Sequence, residues 1–331
     1  MVPDLVSRFS TLAPPIESDR ANDRFCAIPI DEFPRHRIGI DMDGQPCLLI
    51  SVHHAGRQGP PVLLENLSLQ YDVPCRITKP SGEAESGTFA VLRCTNADER
   101  LETEFLRISG VLVARLGGEP SAEEVHAATQ QLIELFRAII RSSGRTVQGL
   151  WAELLLIADS RDPAALVDSW HVLPTDRYDF SRGSQRIEVK AAAGVNREHL
   201  SLEQLMPPVG TRVVVASFLL ERAAGGTSLE DLLSKIRPCL THSAELLMRF
   251  DLVCADTLGS GWREAYEERF DLERARQSLG FFDAEGVPKP SAQMPPAVHS
   301  VRFVSDLSAT HQLDRDVMEA TGGLFSMATS S

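Results

Sequence analysis

The run Val147-Gln-Gly-Leu-Trp-Ala-Glu-Leu-Leu-Leu-Ile-Ala158 has the length and apolar content of a helix, and Glu153 is its only charged residue. At about 100° per residue, Glu153 shares a face with Leu150, Leu156 and Ile157. A carboxylate on such a face is costly unless it is paired or binds a metal. One reading is a buried glutamate bonded to an arginine or to backbone. The other is a metal ligand, which requires further acidic groups nearby in the fold.

Such groups follow on the next element. Arg177-Tyr-Asp-Phe-Ser181 and Gln185-Arg-Ile-Glu-Val-Lys-Ala191 flank Arg182-Gly183-Ser184. Glycine in the first central position suits a type II′ hairpin turn. That register pairs Arg182 with Gln185 and Phe180 with Ile187, and sets Asp179 opposite Glu188. Period two then puts Asp179, Glu188 and Lys190 on one face, with Phe180, Ile187 and Val189 on the other. Directly opposed residues have Cβ atoms about 4.5–5.5 Å apart, where like charges are destabilising. Lys190 offsets part of that repulsion. A hard divalent cation offsets more, and Mg²⁺ is held by one or two carboxylates with its other positions left to water and phosphate. Glu153, Asp179, Glu188 and Lys190 should therefore converge on one solvent-reachable pocket.

The flanks frame this segment. Residues 1–20, with Pro3, Pro14 and Pro15, read as a loosely held arm. Strand patterns follow at Cys47–Val52, Val62–Leu64, Phe89–Cys94 and Ile108–Arg115, and Gly117-Gly118 closes the β-rich stretch. Asp41-Met-Asp-Gly44 lacks the later residues of a calcium loop and reads as a hairpin. His53-His54 reads as a strand-end pair whose side chains diverge. Pro120-Ser121 opens a helix to about Arg141, ended by Ser142-Ser-Gly144. Arg212–Leu220 is continuously apolar, as in a strand buried on both faces. Helices dominate from Thr227-Ser-Leu-Glu230 to about Leu279, Val298–Val304 returns as a strand, and 308–331 reads as frayed. The fold class is α/β: a mixed-sheet core flanked by helices, with a β-rich N-terminal region and a helical C-terminal region. The expected domains are 1–118 (β-rich), 119–225 (core) and 226–331 (helical, packing on the core).

Composition excludes several classes. No apolar run approaches the roughly 20 residues that span a bilayer, and no secretion signal is expected, so a cytoplasmic protein with no membrane partner is the expectation. The six cysteines form no C-x-x-C pair and read as reduced, buried thiols. There is no Walker-type loop, no G-x-G-x-x-G after a strand, no H-E-x-x-H and no G-x-S-x-G, and the nine histidines are scattered. The net charge of −13 is unusual for a nucleic-acid binder, but local potential guides a ligand. Residues 177–197 hold Arg177, Arg182, Arg186, Lys190 and Arg197 against Asp179 and Glu188, either as a solvated hairpin or as a phosphate-facing patch.

Asp179 followed by Glu188-Val189-Lys190 resembles the PD-(D/E)XK nuclease superfamily, the fold shared by many restriction endonucleases and DNA-repair nucleases. Gly149-Leu-Trp-Ala-Glu-Leu-Leu155 resembles its first core helix, which often adds a glutamate. Arg197-Glu-His-Leu-Ser-Leu-Glu-Gln-Leu205 resembles a subgroup encoded among bacterial restriction and phage-defence genes. The match is best over residues 145–222. Tyr178 stands where the motif's name has proline, a residue often absent there in the superfamily.

The resemblance implies a restriction-endonuclease-like core and Mg²⁺- or Mn²⁺-dependent hydrolysis of DNA by an endonuclease. Asp179 and Glu188 would be the main ligands, the Val189 carbonyl a third, and Glu153 an outer or second-metal ligand. Lys190, kept protonated by neighbouring carboxylates, would hold the attacking water. Arg197, His199, Gln204 and Arg182 would contact phosphate or order the site, unless they are loop and helix-start residues with solvent partners. Double-strand cutting by this fold implies two active sites, hence a homodimer as one option. A defence-system ATPase or methyltransferase is a further candidate partner. Two competing readings stand beside this one: an inactive nuclease-fold scaffold or DNA sensor, and an unrelated α/β interaction protein in which Glu153 and the hairpin carboxylates make structural ion pairs, told apart by whether Glu153 lies near Asp179.

Overall fold

The computed structural model describes residues 2–15, 24–53, 61–64, 66–95, 99–140, 147–172, 176–258, 262–290 and 300–330. Expectations placed on 16–20, His54, Ser142-Ser-Gly144 and Val298 lie outside the described residues. The chain divides into two compact units, Met1–Arg137 with Thr241–Met248, and Ala138–Leu240 with Arg249–Ser331.

In the first unit, β1 (Arg24–Ile30), β2 (Phe33–Asp41), β3 (Pro46–Ile50), β4 (Val62–Leu63), β5 (Leu67–Thr78) and β6 (Ala84–Cys94) form one sheet in the order β1-β2-β3-β6-β5-β4. β1 also pairs in parallel with β5, Arg24–Cys26 against Arg76–Thr78, which closes the sheet on itself. Alternate residues such as Phe25, Leu49, Ile77 and Val91 fill its interior. Asp41-Met-Asp-Gly44 is the hairpin expected. Gly44 takes φ +79°, and Asp41 Oδ1 accepts the N–H groups of Asp43 and Gln45 at 3.0 and 2.9 Å. Five cysteines (Cys26, Cys47, Cys75, Cys94 and Cys254) are buried thiols, and Cys239 is exposed.

Two expectations for this unit are corrected. The N-terminal arm contains helix α1 (Leu5–Phe9), capped by Asp4, with Leu5 and Phe9 buried. Ile108–Arg115 is not a strand but part of helix α2 (Glu99–Leu116). Phe105, Ile108, Ser109 and Leu112 are buried at helical spacing, and the β-branched run hides that period when read alone. Gly110 is a packing glycine: a Cβ there would lie 2.6 Å from the Pro3 carbonyl oxygen. Gly117-Gly118 separates α2 from α3 (Ala122–Ile140), which Ser121 and Glu124 open with reciprocal cap bonds of 3.2 and 2.8 Å.

In the second unit, helices α4 (Val147–Asp159) and α5 (Pro163–Ser169) precede a four-stranded mixed sheet. Its hairpin is β7 (Phe180–Arg182) with β8 (Gln185–Ala192). After β9 (Arg197–Ser201) and α6 (Leu202–Leu205) comes β10 (Arg212–Leu219), parallel to β8 and interior as expected. β11 (Arg222–Ser228) pairs with β12 (Arg269–Phe270), and β13 (Gly280–Asp283) completes the order β13-β10-β8-β7. β14 (Arg302–Asp306) pairs with β9. The intervening helices are α7 (Leu229–Leu240), α8 (Ala244–Leu258), α9 (Trp262–Glu267) and α10 (Leu272–Ser278). α4 packs on β8 and on α7, and Leu150–Ala158 are buried all round. The opposite face of β10 packs against β9, where Leu200, Val213 and Val215 share one apolar cluster. Among the described residues no helix is long and apolar enough to cross a membrane.

The C-terminal region is less purely helical than expected, because β13 serves as an edge strand of the core sheet. Nor is its end frayed: α11 (Arg315–Thr321) and α12 (Gly323–Ala328) bury Met318, Leu324 and Phe325. Gln185 anchors them. Its Nε2 donates to the Gly322 carbonyl at 3.1 Å, and its Oε1 accepts the Leu324 N–H at 2.6 Å. Gln185→Ala should cost about 1–3 kcal/mol by stranding these backbone groups. Urea unfolding measures it; a loss below the error of the fit would remove Gln185 as the anchor.

Candidate metal centre

The hairpin turn delivers the acidic groups. Gly183 takes φ +52° and Ser184 stays outside the positive-φ region, the pattern of a type II′ turn. The ladder pairs Phe180 with Ile187, Ser181 with Arg186 and Arg182 with Gln185. It starts at Phe180, so Asp179 lies just outside it and reaches its neighbours by side chain. Asp179 Oδ2 accepts the Val189 N–H at 2.7 Å. The backbone around it is held from a third segment: Trp170 bridges Phe180, and the His171 N–H donates to the Asp179 carbonyl at 2.7 Å.

That third segment also answers what satisfies Glu153. The carboxylate is only 6% exposed, and its partners are neither arginine nor backbone. Oε2 accepts the Trp170 indole N–H at 2.6 Å and lies 3.2 Å from His171 Nε2. One ligand atom each from Glu153, His171 and Asp179 falls within 4.8 Å of the others, and all three residues are buried. The helix carboxylate is therefore beside the hairpin, which removes the reading in which Glu153 lies far from Asp179.

Glu188 is 3% exposed. Its Oε1 is 2.6 Å from the Lys190 ammonium and accepts Gln204 Nε2–H at 2.5 Å. Gln204 is itself fixed by a capping box with Ser201 at the start of α6, and its Nε2 also donates to the Arg177 carbonyl at 3.3 Å. It orders the acidic site from within. Arg197 and His199 point outward from β9; Arg197 meets Asp306 at 3.4 Å. Arg182 sits at the hairpin turn, 3.9 Å from Met327 Sδ. Val189 contributes its N–H to Asp179 and buries its side chain.

The charges act on one another. Burial pushes the Asp179 carboxyl well above the usual carboxylate range, and Glu188 and then Glu153 add to the rise against the Val189 N–H and Lys190. Burial works against the Lys190 ammonium, but Glu188, Asp179 and Glu198 outweigh it and hold its pKa above the ordinary value. The expected solvent-reachable pocket is not what this burial gives. Trp170 and His171 close over Glu153, and Gln204 closes over Glu188.

Three contributors escaped the sequence reading: Trp170, His171 and Glu198. His171 stands eight residues before Asp179, and only the bridge between Trp170 and Phe180 brings it to the site. The local signal in the sequence was the aromatic pair Trp170-His171 shortly before the hairpin.

Residues 15–308, most of the chain, match the family described as "Putative PD-(D/E)XK family member, (DUF4420)". The chain belongs to this family. No curated protein and no solved structure matches it.

For a PD-(D/E)XK family member the group to test is a divalent metal ion, and the residues fit one. The donors are carboxylate oxygens with one imidazole nearby, the chemistry of a hard or borderline cation. Asp179 is raised first by burial and then by two carboxylates that a cation would neutralise. The raised pKa has a consequence for the metal-free fold. Because folding raises it, its contribution is complete below the pKa of an unfolded aspartate, about 3.9, and is lost as pH rises through the folded value. In chelator at pH 7, Asp179→Asn should therefore melt above the wild type, at about 2–4 °C per kcal/mol gained. The gap should close as pH falls toward 4. A melting series across pH checks both; an asparagine variant less stable than wild type at pH 7 would show that repulsion is not what Asp179 contributes.

Proposed function

We propose that this protein is a metal-dependent deoxyribonuclease that hydrolyses DNA phosphodiester bonds endonucleolytically, on a restriction-endonuclease-like core, in bacterial restriction or phage defence. One observation carries the reading. Glu153 and Asp179 are gathered with His171 at one buried place, and Glu188, paired with Lys190, is close enough to raise Asp179 further, a repulsion that a bound cation would relieve.

Asp179 and Glu188 would hold Mg²⁺ or Mn²⁺, with the Val189 carbonyl and Glu153 as further oxygens and His171 in reach. Such an ion supplies charge neutralisation at the phosphate and a water activated at neutral pH. The chain's own residues do the rest. Trp170 and His171 orient Glu153 through its Oε2. Gln204 orients Glu188. Lys190, protonated, donates to the attacking water and opposes the negative charge that develops on the phosphate. Arg197, His199 and Arg182 offer exposed groups to the DNA backbone, and exposed pairs such as Arg197 with Asp306 are weak enough to be exchanged for phosphate. A homodimer would bring one site to each strand, and a defence ATPase or methyltransferase would supply target choice.

The burial of all three carboxylates favours one competing reading, an inactive scaffold or DNA sensor of the same fold. Plasmid cleavage with Mg²⁺ or Mn²⁺ separates the two. The wild type should nick or linearise the plasmid, and Lys190→Ala should lose about 10²–10³-fold, as for removal of one charge-stabilising donor. Mn²⁺ at 100 times its dissociation constant should stabilise the fold by about 2.7 kcal/mol. Asp179→Ala should abolish most of that shift and Lys190→Ala should keep it. No metal-dependent shift together with no cleavage selects the scaffold; loss of metal binding in Lys190→Ala would make the lysine part of the ion's own cage.

A further inference from the structure

A second carboxylate, which the nuclease motif does not include, acts on Lys190 through its field. Along β9, Arg197 and His199 face outward while Glu198 and Leu200 face inward. Leu200 packs with Val213 and Val215, which lie on the same face of β10 as Ser217. Ser217 is the register partner of Lys190 in the parallel pairing of β10 with β8, so the two side chains are neighbours on that face. Glu198 comes down onto it, and its Oε1 accepts the Ser217 hydroxyl at 2.5 Å. Glu198 and Ser217 are each 2% exposed, and the Lys190 side chain is 19% exposed. A carboxylate this deep requires an opposite charge. Burial pushes the Glu198 carboxyl above its ordinary range, and the Ser217 hydroxyl and then the Lys190 ammonium pull it back toward the charged form.

We infer that Glu198, held by Ser217, is a positioning residue for Lys190: it keeps the ammonium in place when Glu188 is given over to a cation. The inference rests on the nuclease reading above. Without metal, Lys190 bonds Glu188 at 2.6 Å, the same carboxylate proposed to hold the ion. A divalent cation drains charge from Glu188 and repels the ammonium across a short distance. Held by the Glu188 pair alone, Lys190 would be pushed away from the water and phosphate it is meant to serve. Glu198 stands on β9, apart from the elements that carry Asp179, Glu188 and Glu153, and the Ser217 hydroxyl that donates to it favours its charged form. One lysine thus sits between a carboxylate that works on the ion and one that works on the lysine.

Glu198→Gln in the full chain tests this, because the amide oxygen still accepts from Ser217 and the change is confined to charge. Calorimetric titration should give Mn²⁺ affinity within about twofold of wild type. On plasmid DNA, kcat should fall about 10–100-fold, the range for outer partners of a metal site, with KM unchanged. Lys190→Ala with Glu198→Gln should be no slower than Lys190→Ala alone, since Glu198 acts through the lysine. An independent readout is unfolding in chelator: the double variant's melting shift should differ from the sum of the two single shifts, because the two charges are coupled. Additive shifts, or Glu198→Gln with wild-type kcat, would overturn the inference. A tenfold loss of Mn²⁺ affinity would also overturn it, by making Glu198 a ligand. If the wild type cleaves nothing, the nuclease reading fails and the catalytic role of Glu198 fails with it, while the unfolding cycle still reports whether the two charges are paired.

Discussion

Burying like charges together is the constraint around which the second unit is organised. Glu153, Asp179, Glu188 and Glu198 are each less than a tenth exposed, and Lys190 is the ammonium set among them. The deficit is met chiefly by N–H and O–H donors. Trp170 and His171 serve Glu153, the Val189 backbone serves Asp179, Gln204 serves Glu188 and Ser217 serves Glu198. Hydrogen bonds to a carboxylate are shorter and stronger than neutral ones, and several here lie at 2.5–2.7 Å. Donors of this kind orient a carboxylate without cancelling its charge. A set of arginines would have cancelled it and left nothing for an ion.

Each donor comes from a different local device. The indole and imidazole ride on the extended stretch that bridges Phe180. Gln204 is set by the capping box that opens α6, so the same side chain starts a helix and holds Glu188. Ser217 is placed by the register of two parallel strands. Glu153, Glu188 and Glu198 sit on a helix and two strands, and Asp179 on the bend that leads into β7, so most of the carboxylates are placed by regular elements, which hold a site more precisely than loops do.

How much of this could be read in advance follows from the range of each interaction. The hairpin register was legible, because a glycine in a two-residue turn and period-two alternation act within a dozen residues. The apolar helix with its one carboxylate was legible for the same reason, as was the interior strand at Arg212–Leu219. Ile108–Arg115 was misread because a β-branched run carries strand propensity, while the helical burial of Phe105, Ile108 and Leu112 emerges only over the longer segment. The C-terminal helices were misread because their anchor, Gln185, lies more than a hundred residues upstream. His171 and Glu198 are ordinary residues in one dimension. Their meaning comes from a bridge and a strand packing that no local period encodes. Of the two roles legible for Gln204, contacting phosphate or ordering the site, the structure gives the second: its amide turns inward to Glu188.

Net charge belongs in the same argument. At −13 the chain repels a polyanion at long range, yet that field is screened beyond about 8 Å at physiological ionic strength. Inside that distance the local composition matters, and there the exposed basic groups are bound loosely. Arg197 shares one long contact with Asp306, and Arg186 donates to carbonyls of its own turn. The acidic groups that would repel a phosphate most strongly are withdrawn from the surface and already claimed by donors. An acidic chain built this way presents, around the hairpin, a surface less negative than its composition suggests. It keeps its densest negative charge buried among donors, where a cation would neutralise it.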